Sequence, residues 1–187
     1  MSPMVKIPMT MEHVLLGFLR QRPMHAYEMH QTLMQAEEMG LVWRVKQSQL
    51  YAHIARLEEE GYVTSVIEPQ QARPARKVLH LTPAGEAAFA HWVSTPVEHG
   101  REFRLEFLAK LFFASQLDRK TLDMLLDGQR DANSSLIDQL NQTIAELAPD
   151  RHFDRLVLRF RVGQLEASLS WLDECAATFA HHSPPTT

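Results

Sequence analysis

What the chain lacks narrows the field before any motif is read. It has one cysteine, Cys175, among 187 residues. A lone thiol forms no internal disulfide and fits a reducing cytoplasm, where we expect the protein to reside. The four cysteines of a structural zinc are absent too. None of the seven glycines builds a phosphate-cradling loop. No serine sits in a nucleophile elbow, and Cys175 has no flanking histidine, so nothing points to an enzyme or a cofactor. Apolar runs last only a few residues, too short to cross a bilayer, and no membrane partner is expected. Residues 1–10 hold Lys6 but no apolar core of signal-peptide length. What is present is ordinary: 45% hydrophobic and 22% charged residues, which excludes a disordered or collagen-like chain.

Charge is unevenly placed. The formal net charge is −4. Residues 1–95 balance, whereas the acidic excess lies in residues 96–187, and aspartate is absent before residue 118. A mildly acidic total argues against loose polyanion binding by the whole chain but leaves room for a local basic face.

The first half reads as three helices, a strand, a basic loop, a strand and a fourth helix. Thr10 caps a helix carrying Met11, Val14, Leu15 and Phe18 at helical spacing, and Pro23 ends it. A second helix is predicted from Ala26 to Met39, with Tyr27, Leu33 and Met34 inward and Gly40 as its stop. A third runs from Gln47 to Glu60 with Leu50, Ile54 and Leu57 on one stripe, and Gly61 follows at C′. Residues 62–67 are rich in β-branched side chains and read as a strand. Residues 69–76 hold two prolines and no large apolar group, so they read as a loop. Lys77–Leu81 is a second strand, and Thr82-Pro83 opens a helix to Ser94. That order is a winged helix-turn-helix, placed at residues 10–95.

Residues 100–180 read as helices only, with residues 1–9 and 181–187 as flexible termini. Arg101–Gln116 is followed by a helix capped by Asp118 and a last one capped by Asp150. The last helix carries Leu158, Val162, Leu165, Leu169, Leu172, Ala176 and Phe179 at alternating spacings of four and three. That is an a/d seam, and we expect it to pair with a second copy of the chain. In the preceding helix Gln129, Asn133 and Thr143 interrupt a similar row of leucines. The fold class is therefore mainly α: a winged helix-turn-helix with a two-stranded wing, then a long-helix dimerisation domain.

Function is read from the third helix and the wing. With Leu50 at zero on a helical wheel, Ile54 and Leu57 fall within about 40°, and Ser48, Ala52 and Ala55 fall opposite. Gln47, Ser48, Gln49 and Tyr51 thus present amide, hydroxyl and phenol groups at the N-terminal end, with Arg56 on a shoulder and Glu58–Glu60 at the far end. A helix entering a major groove needs donors and acceptors early and tolerates acids only where it leaves the duplex. Arg73, Arg76 and Lys77 form a cationic hairpin with no acid between residues 69 and 85, suited to phosphates or a minor groove. Helix five is strongly apolar through Phe103 and Phe107, and Trp92 closes helix four. With Arg104 among them to hold a carboxylate, these are the candidate effector site. Ten histidines include no i, i+4 pair, and no metal site is assigned.

These residues carry a resemblance. Val14–Leu19 with Pro23–Glu28 resembles the opening of PadR-like transcriptional regulators. Ser48-Gln49-Leu50-Tyr51 with Ile54–Val63 resembles their recognition helix and turn, and Arg73–Lys77 with Leu81–Gly85 their wing and following helix. Glu102–Phe113 and the helices after it resemble the longer C-terminal domain of one branch. Ala26 stands where the family usually has glycine, Gln49 where it has a small residue, and the wing lacks its usual glycine. The resemblance implies a homodimeric repressor that binds an inverted-repeat operator in double-stranded DNA and is released by a small aromatic effector such as a phenolic acid. It places Tyr27, Ser48, Tyr51, Arg76 and Lys77 on DNA. Two other readings of the residues stay open: a winged helix that binds protein, and a metal-responsive regulator.

Overall fold

The computed structural model describes residues 10–35, 46–70 and 73–180. The termini expected to be flexible, and the last turn expected for the second helix with Met39 and Gly40, lie outside the described residues. The chain divides between Val93 and Ser94 into two units.

The N-terminal unit contains α1 (Thr10–Gln21), β1 (Met24–His25), α2 (Ala26–Gln35), α3 (Gln47–Glu59), β2 (Val63–Gln70), β3 (Arg73–Leu81) and α4 (Pro83–Ser94). Its antiparallel sheet has the order β1-β3-β2. The hairpin register runs from Val63 opposite Leu81 to Gln70 opposite Arg73, with an irregularity between Glu68 and Gln70. The loop expected at residues 69–76 is thus shorter, and the hairpin arms extend to Gln70 and restart at Arg73. The two prolines did not preclude this: Pro69 lies in the edge strand β2, and Pro74 lies in β3 beyond the residues that pair with β1, where the sheet is a two-stranded ribbon and a missing N–H is tolerated. β1 adds a third strand of two residues, with Met24 opposite Leu79.

Helix α1 is the axis of this unit. Every residue from Met11 to Leu19 is buried, not only one face. Leu50, Ile54 and Leu57 of α3 and Met29 and Leu33 of α2 complete the core. Tyr27 and Met34, expected inward, are 58% and 50% exposed. Helix α3 stops as its sequence requires. Gly61 has φ +79°. Its N–H donates to Glu58 O and that of Tyr62 to Leu57 O, the 5→2 and 6→1 pair of a Schellman ending.

The C-terminal unit contains α5 (Gly100–Glu102), a π-helical turn (Phe103–Phe107), α6 (Leu108–Leu117), α7 (Arg119–Glu146) and α8 (His152–Ala180). Asp118 caps α7: its Oδ1 accepts from Thr121 N–H at 2.8 Å and its Oδ2 from the Thr121 hydroxyl at 2.9 Å. These bonds, the backbone one first, hold its carboxyl below the ordinary range. Arg119 reaches Phe179 O, Arg130 reaches Asp173, and Arg155 donates to Ile144 O and Leu147 O. That pairing order makes α7 and α8 an antiparallel hairpin, with Arg155 satisfying carbonyls at the end of α7. Among the described residues no helix is long and apolar enough to cross a membrane.

Candidate nucleic-acid interface

The first turn of α3 is exposed at Gln47, Ser48 and Gln49, because Leu50, Ile54 and Leu57 claim the opposite face for the core. Gln49 has a second duty. Its Oε1 accepts from Lys46 N–H at 3.2 Å, so one end of its amide caps the helix while the residue stays exposed. Ala52 and Ala55 continue the outward face with small side chains that permit close approach.

A cleft of about 850 Å³ runs between α2, α3 and the root of the wing. Tyr27 and Tyr51 line it from the two helices, and Lys77 lines it from β3. Both phenols are exposed. The structure adds two residues the sequence reading missed. Gln31 donates Nε2 to the Tyr27 hydroxyl at 2.9 Å, and His25 Nδ1 lies 3.1 Å from Lys77 O. Gln31 was findable, since it stands four residues after Tyr27 and so on its helix face. His25 was not, because its place depends on β1. Lys77 Nζ is 2.7 Å from Glu58 Oε2. Burial resists ionisation of Glu58, but hydrogen bonds from Lys77 and Ser65 outweigh it and hold the carboxyl below its ordinary value. Glu58, read from the sequence as far-end surface, therefore braces the wing root against the recognition helix.

Arg56 departs from expectation. Instead of standing free on the shoulder of α3, it lies 3.3 Å from Glu12 Oε1 and donates Nε to Glu60 Oε1 at 3.0 Å. Glu12 is fully buried on α1 and also meets His53 Nδ1 at 3.3 Å. The bond to Glu60 and then the Glu12 charge make Arg56 hold its proton more tightly than usual. Its role in this structure is to neutralise a buried acid. Arg76 pairs with Glu68 and Arg73 with Gln70 in the hairpin, which carries the wing cations to its outer end. The side chains of Arg73 and Arg76 lie outside the described residues.

The expected dimer seam is used within the chain. Val162, Leu165 and Leu172 are buried in the single copy, and Leu158, Leu169 and Phe179 are partly buried. Helices α7 and α8 pack on each other, so the partner of these residues is α7. A heptad pattern specifies an apolar stripe and leaves open which helix covers it. The large apolar residues α8 leaves exposed are Phe153, Leu156 and Phe160, at 77%, 66% and 66%.

The candidate effector residues separate. Trp92 is core of the N-terminal unit, stacked on His13 with centroids 5.1 Å apart. Phe107 is fully buried, stacked on Phe103 at 4.5 Å, and both meet Trp171 edge-on. Of the four, Phe103 and Arg104 line a cavity of about 940 Å³ within the C-terminal unit, and Trp92 and Phe107 do not line that one. Among the described residues no three histidine, cysteine or acidic side chains converge as a metal site.

Comparison with known proteins follows the same division. Residues 15–91 match the model of the transcriptional regulator PadR-like family, and residues 103–180 match that of the virulence activator alpha C-term. The negative transcriptional regulator PadR of Bacillus subtilis is 25% identical over 178 residues, covering 89% of this chain and 96% of that one. A probable transcriptional regulator of Mycobacterium tuberculosis is 24% identical, covering 90% and 96%. The crystal structure of Bacillus subtilis PadR in complex with operator DNA aligns at 23% identity over 90% of this chain and 97% of that one, with a TM-score of 0.45. With a winged helix-turn-helix and a following helical unit each matched in its own right, residues 15–91 form a domain of the PadR-like family of transcriptional regulators and residues 103–180 a virulence activator alpha C-term domain.

Proposed function

We propose that the protein is a repressor that binds an inverted-repeat operator as a homodimer and leaves it when a small aromatic effector binds. The observation that carries this reading is the exposed polar first turn of α3 beside the cleft of Tyr27, Tyr51 and Lys77. Gln47, Ser48 and Gln49 offer donors and acceptors to base edges. The two phenols, Lys77 and the wing arginines suit the sugar-phosphate backbone. The negative sign of regulation is supported by the Bacillus subtilis relative's name. The test is fluorescence anisotropy with the duplex upstream of the protein's own gene, against random duplex, at two salt concentrations. Specific retention that weakens as salt rises supports the reading. Folded protein that retains neither duplex in dilute buffer overturns it.

Pairing of two copies rests on Phe153, Leu156 and Phe160, spaced three and four residues apart along one face of α8. Each contributes about 1.5–3 kcal/mol when taken out of water, and a second copy would cover the same row by two-fold symmetry. Sedimentation of Phe160→Glu tests it. A monomer with weakened operator binding is expected, and an intact dimer would move the interface elsewhere.

A further inference from the structure

The Gln49 carboxamide is fixed end for end. Its Oε1 accepts from Lys46 N–H at 3.2 Å, and the Gln49 backbone N–H donates to Lys46 O at 3.0 Å. Reversing the amide would set its NH2 against the Lys46 N–H, donor against donor, so the backbone decides which end is which. The oxygen is drawn in against the start of α3. The nitrogen is the free end: among the described residues nothing accepts either Nε2 hydrogen. Gln49 is exposed, and Ala52, one turn on, is exposed and too small to screen it.

A capped glutamine and a free one read different bases. A free carboxamide offers both ends at once, which matches adenine, whose N6 donates and N7 accepts. Here an adenine N6–H would have to share an oxygen that Lys46 N–H already holds. Guanine presents two acceptors in the major groove, N7 and O6, and no donor. Thymine presents one acceptor, O4, and cytosine only a donor. An amide left with its N–H end alone therefore ranks guanine first, adenine behind it and cytosine last.

We infer that Gln49 selects guanine, as a donor-only reader whose polarity is set by the backbone N–H of Lys46. This choice rests on the operator reading above for DNA binding. It adds the base that is read and the group that decides it.

The experiment is selection from a randomised duplex DNA pool by the full chain, with the retained fraction sequenced, beside three variants. The position at which Gln49→Ala loses preference marks the contact. Wild type should take guanine there about tenfold over adenine, within the range of one good base contact. Gln49→Glu keeps an oxygen for Lys46 N–H, so the cap survives, but it replaces the donor by an acceptor. Its preference should pass to cytosine, whose N4 donates. Lys46→Pro removes the capping N–H from a backbone, φ −72° and ψ 144°, that proline adopts. With the oxygen released, adenine should rise to rival guanine. The lost lysine charge weakens all sequences alike and leaves the ratio of bases untouched. Adenine preferred by wild type, a site with no Gln49-dependent position, or a Lys46→Pro preference equal to that of wild type overturns the inference and leaves the operator reading standing. Wild type and Gln49→Glu decide the matter even if Lys46→Pro fails to fold. Folded wild type that enriches no sequence removes the operator reading, and the base choice with it.

Discussion

Gly85 offers the sharpest test of the packing around the wing. It is buried in the first turn of α4, where two effects oppose each other. Replacing a helical glycine by alanine normally gains about 1 kcal/mol. Here a Cβ would overlap the Tyr62 carbonyl oxygen and come within 2.7 Å of Leu81 Cδ1. The leucine can turn aside, but the carbonyl cannot. It already accepts from Thr82 N–H at 3.1 Å and from the Thr82 hydroxyl at 3.0 Å, while that hydroxyl also donates to Gly61 O and accepts from Gly85 N–H. Overpacking costs about 1–3 kcal/mol in general and more where backbone must move. The clash therefore wins, and Gly85→Ala should destabilise by about 2 kcal/mol or more. Ala84, exposed one residue earlier, is the control. Ala84→Gly should cost about 1 kcal/mol, from propensity alone. Urea unfolding followed by tryptophan fluorescence and circular dichroism reads both. An unchanged or raised midpoint for Gly85→Ala would refute the close approach of α4 to Tyr62.

Three further outcomes are expected. Gln129→Leu strips both backbone groups of buried Val97, at about 1–3 kcal/mol each, so urea unfolding should show a loss of about 2–6 kcal/mol; a loss under about 1 kcal/mol would mean that water or a neighbour serves them. Glu58 has a lowered carboxyl pKa, so its contribution is present above the ordinary carboxylate range and is lost as pH falls through the folded value. Stability from neutral to about pH 3 should therefore fall less steeply in Glu58→Gln than in wild type, and parallel curves would dismiss the Lys77 contact. The Cys175 thiol is 6% exposed and pushed up to about 11 by burial and then by Glu174, so a thiol reagent near neutral pH should label it far more slowly in native than in urea-unfolded protein, and equal rates would contradict its burial.

Much of the architecture is legible because local chemistry decides it. Gly61, Thr82-Pro83 and Asp118 mark a stop and two starts through bonds to groups within a few residues. The exposed polar turn of α3 follows from its apolar stripe. What escaped the sequence depends on distant partners. Arg56 looks free on a helical wheel, since Glu12 lies on another helix. The seam of α8 carries the same pattern whether α7 or a second copy covers it. The wing arms outran their predicted ends because proline is tolerated where a strand has a neighbour on one side only, as both arms do beyond the reach of β1. Gln129 and Asn133, which read as interruptions in a row of leucines, are buried, and they give the C-terminal cavity its polarity.

The carboxylate of Glu12 has a mechanical meaning. It is sealed from water on α1 and answered by His53 and Arg56, which lie three residues apart on α3. Turning α3 about its axis by one residue step would strip Arg56 and His53 from a carboxylate that water cannot reach, a far larger penalty than exchanging one leucine for another. The azimuth of the helix is thus locked by an electrostatic key as well as by fit, and whatever meets Gln47, Ser48 and Gln49 finds them already facing outward, with little left to arrange on contact.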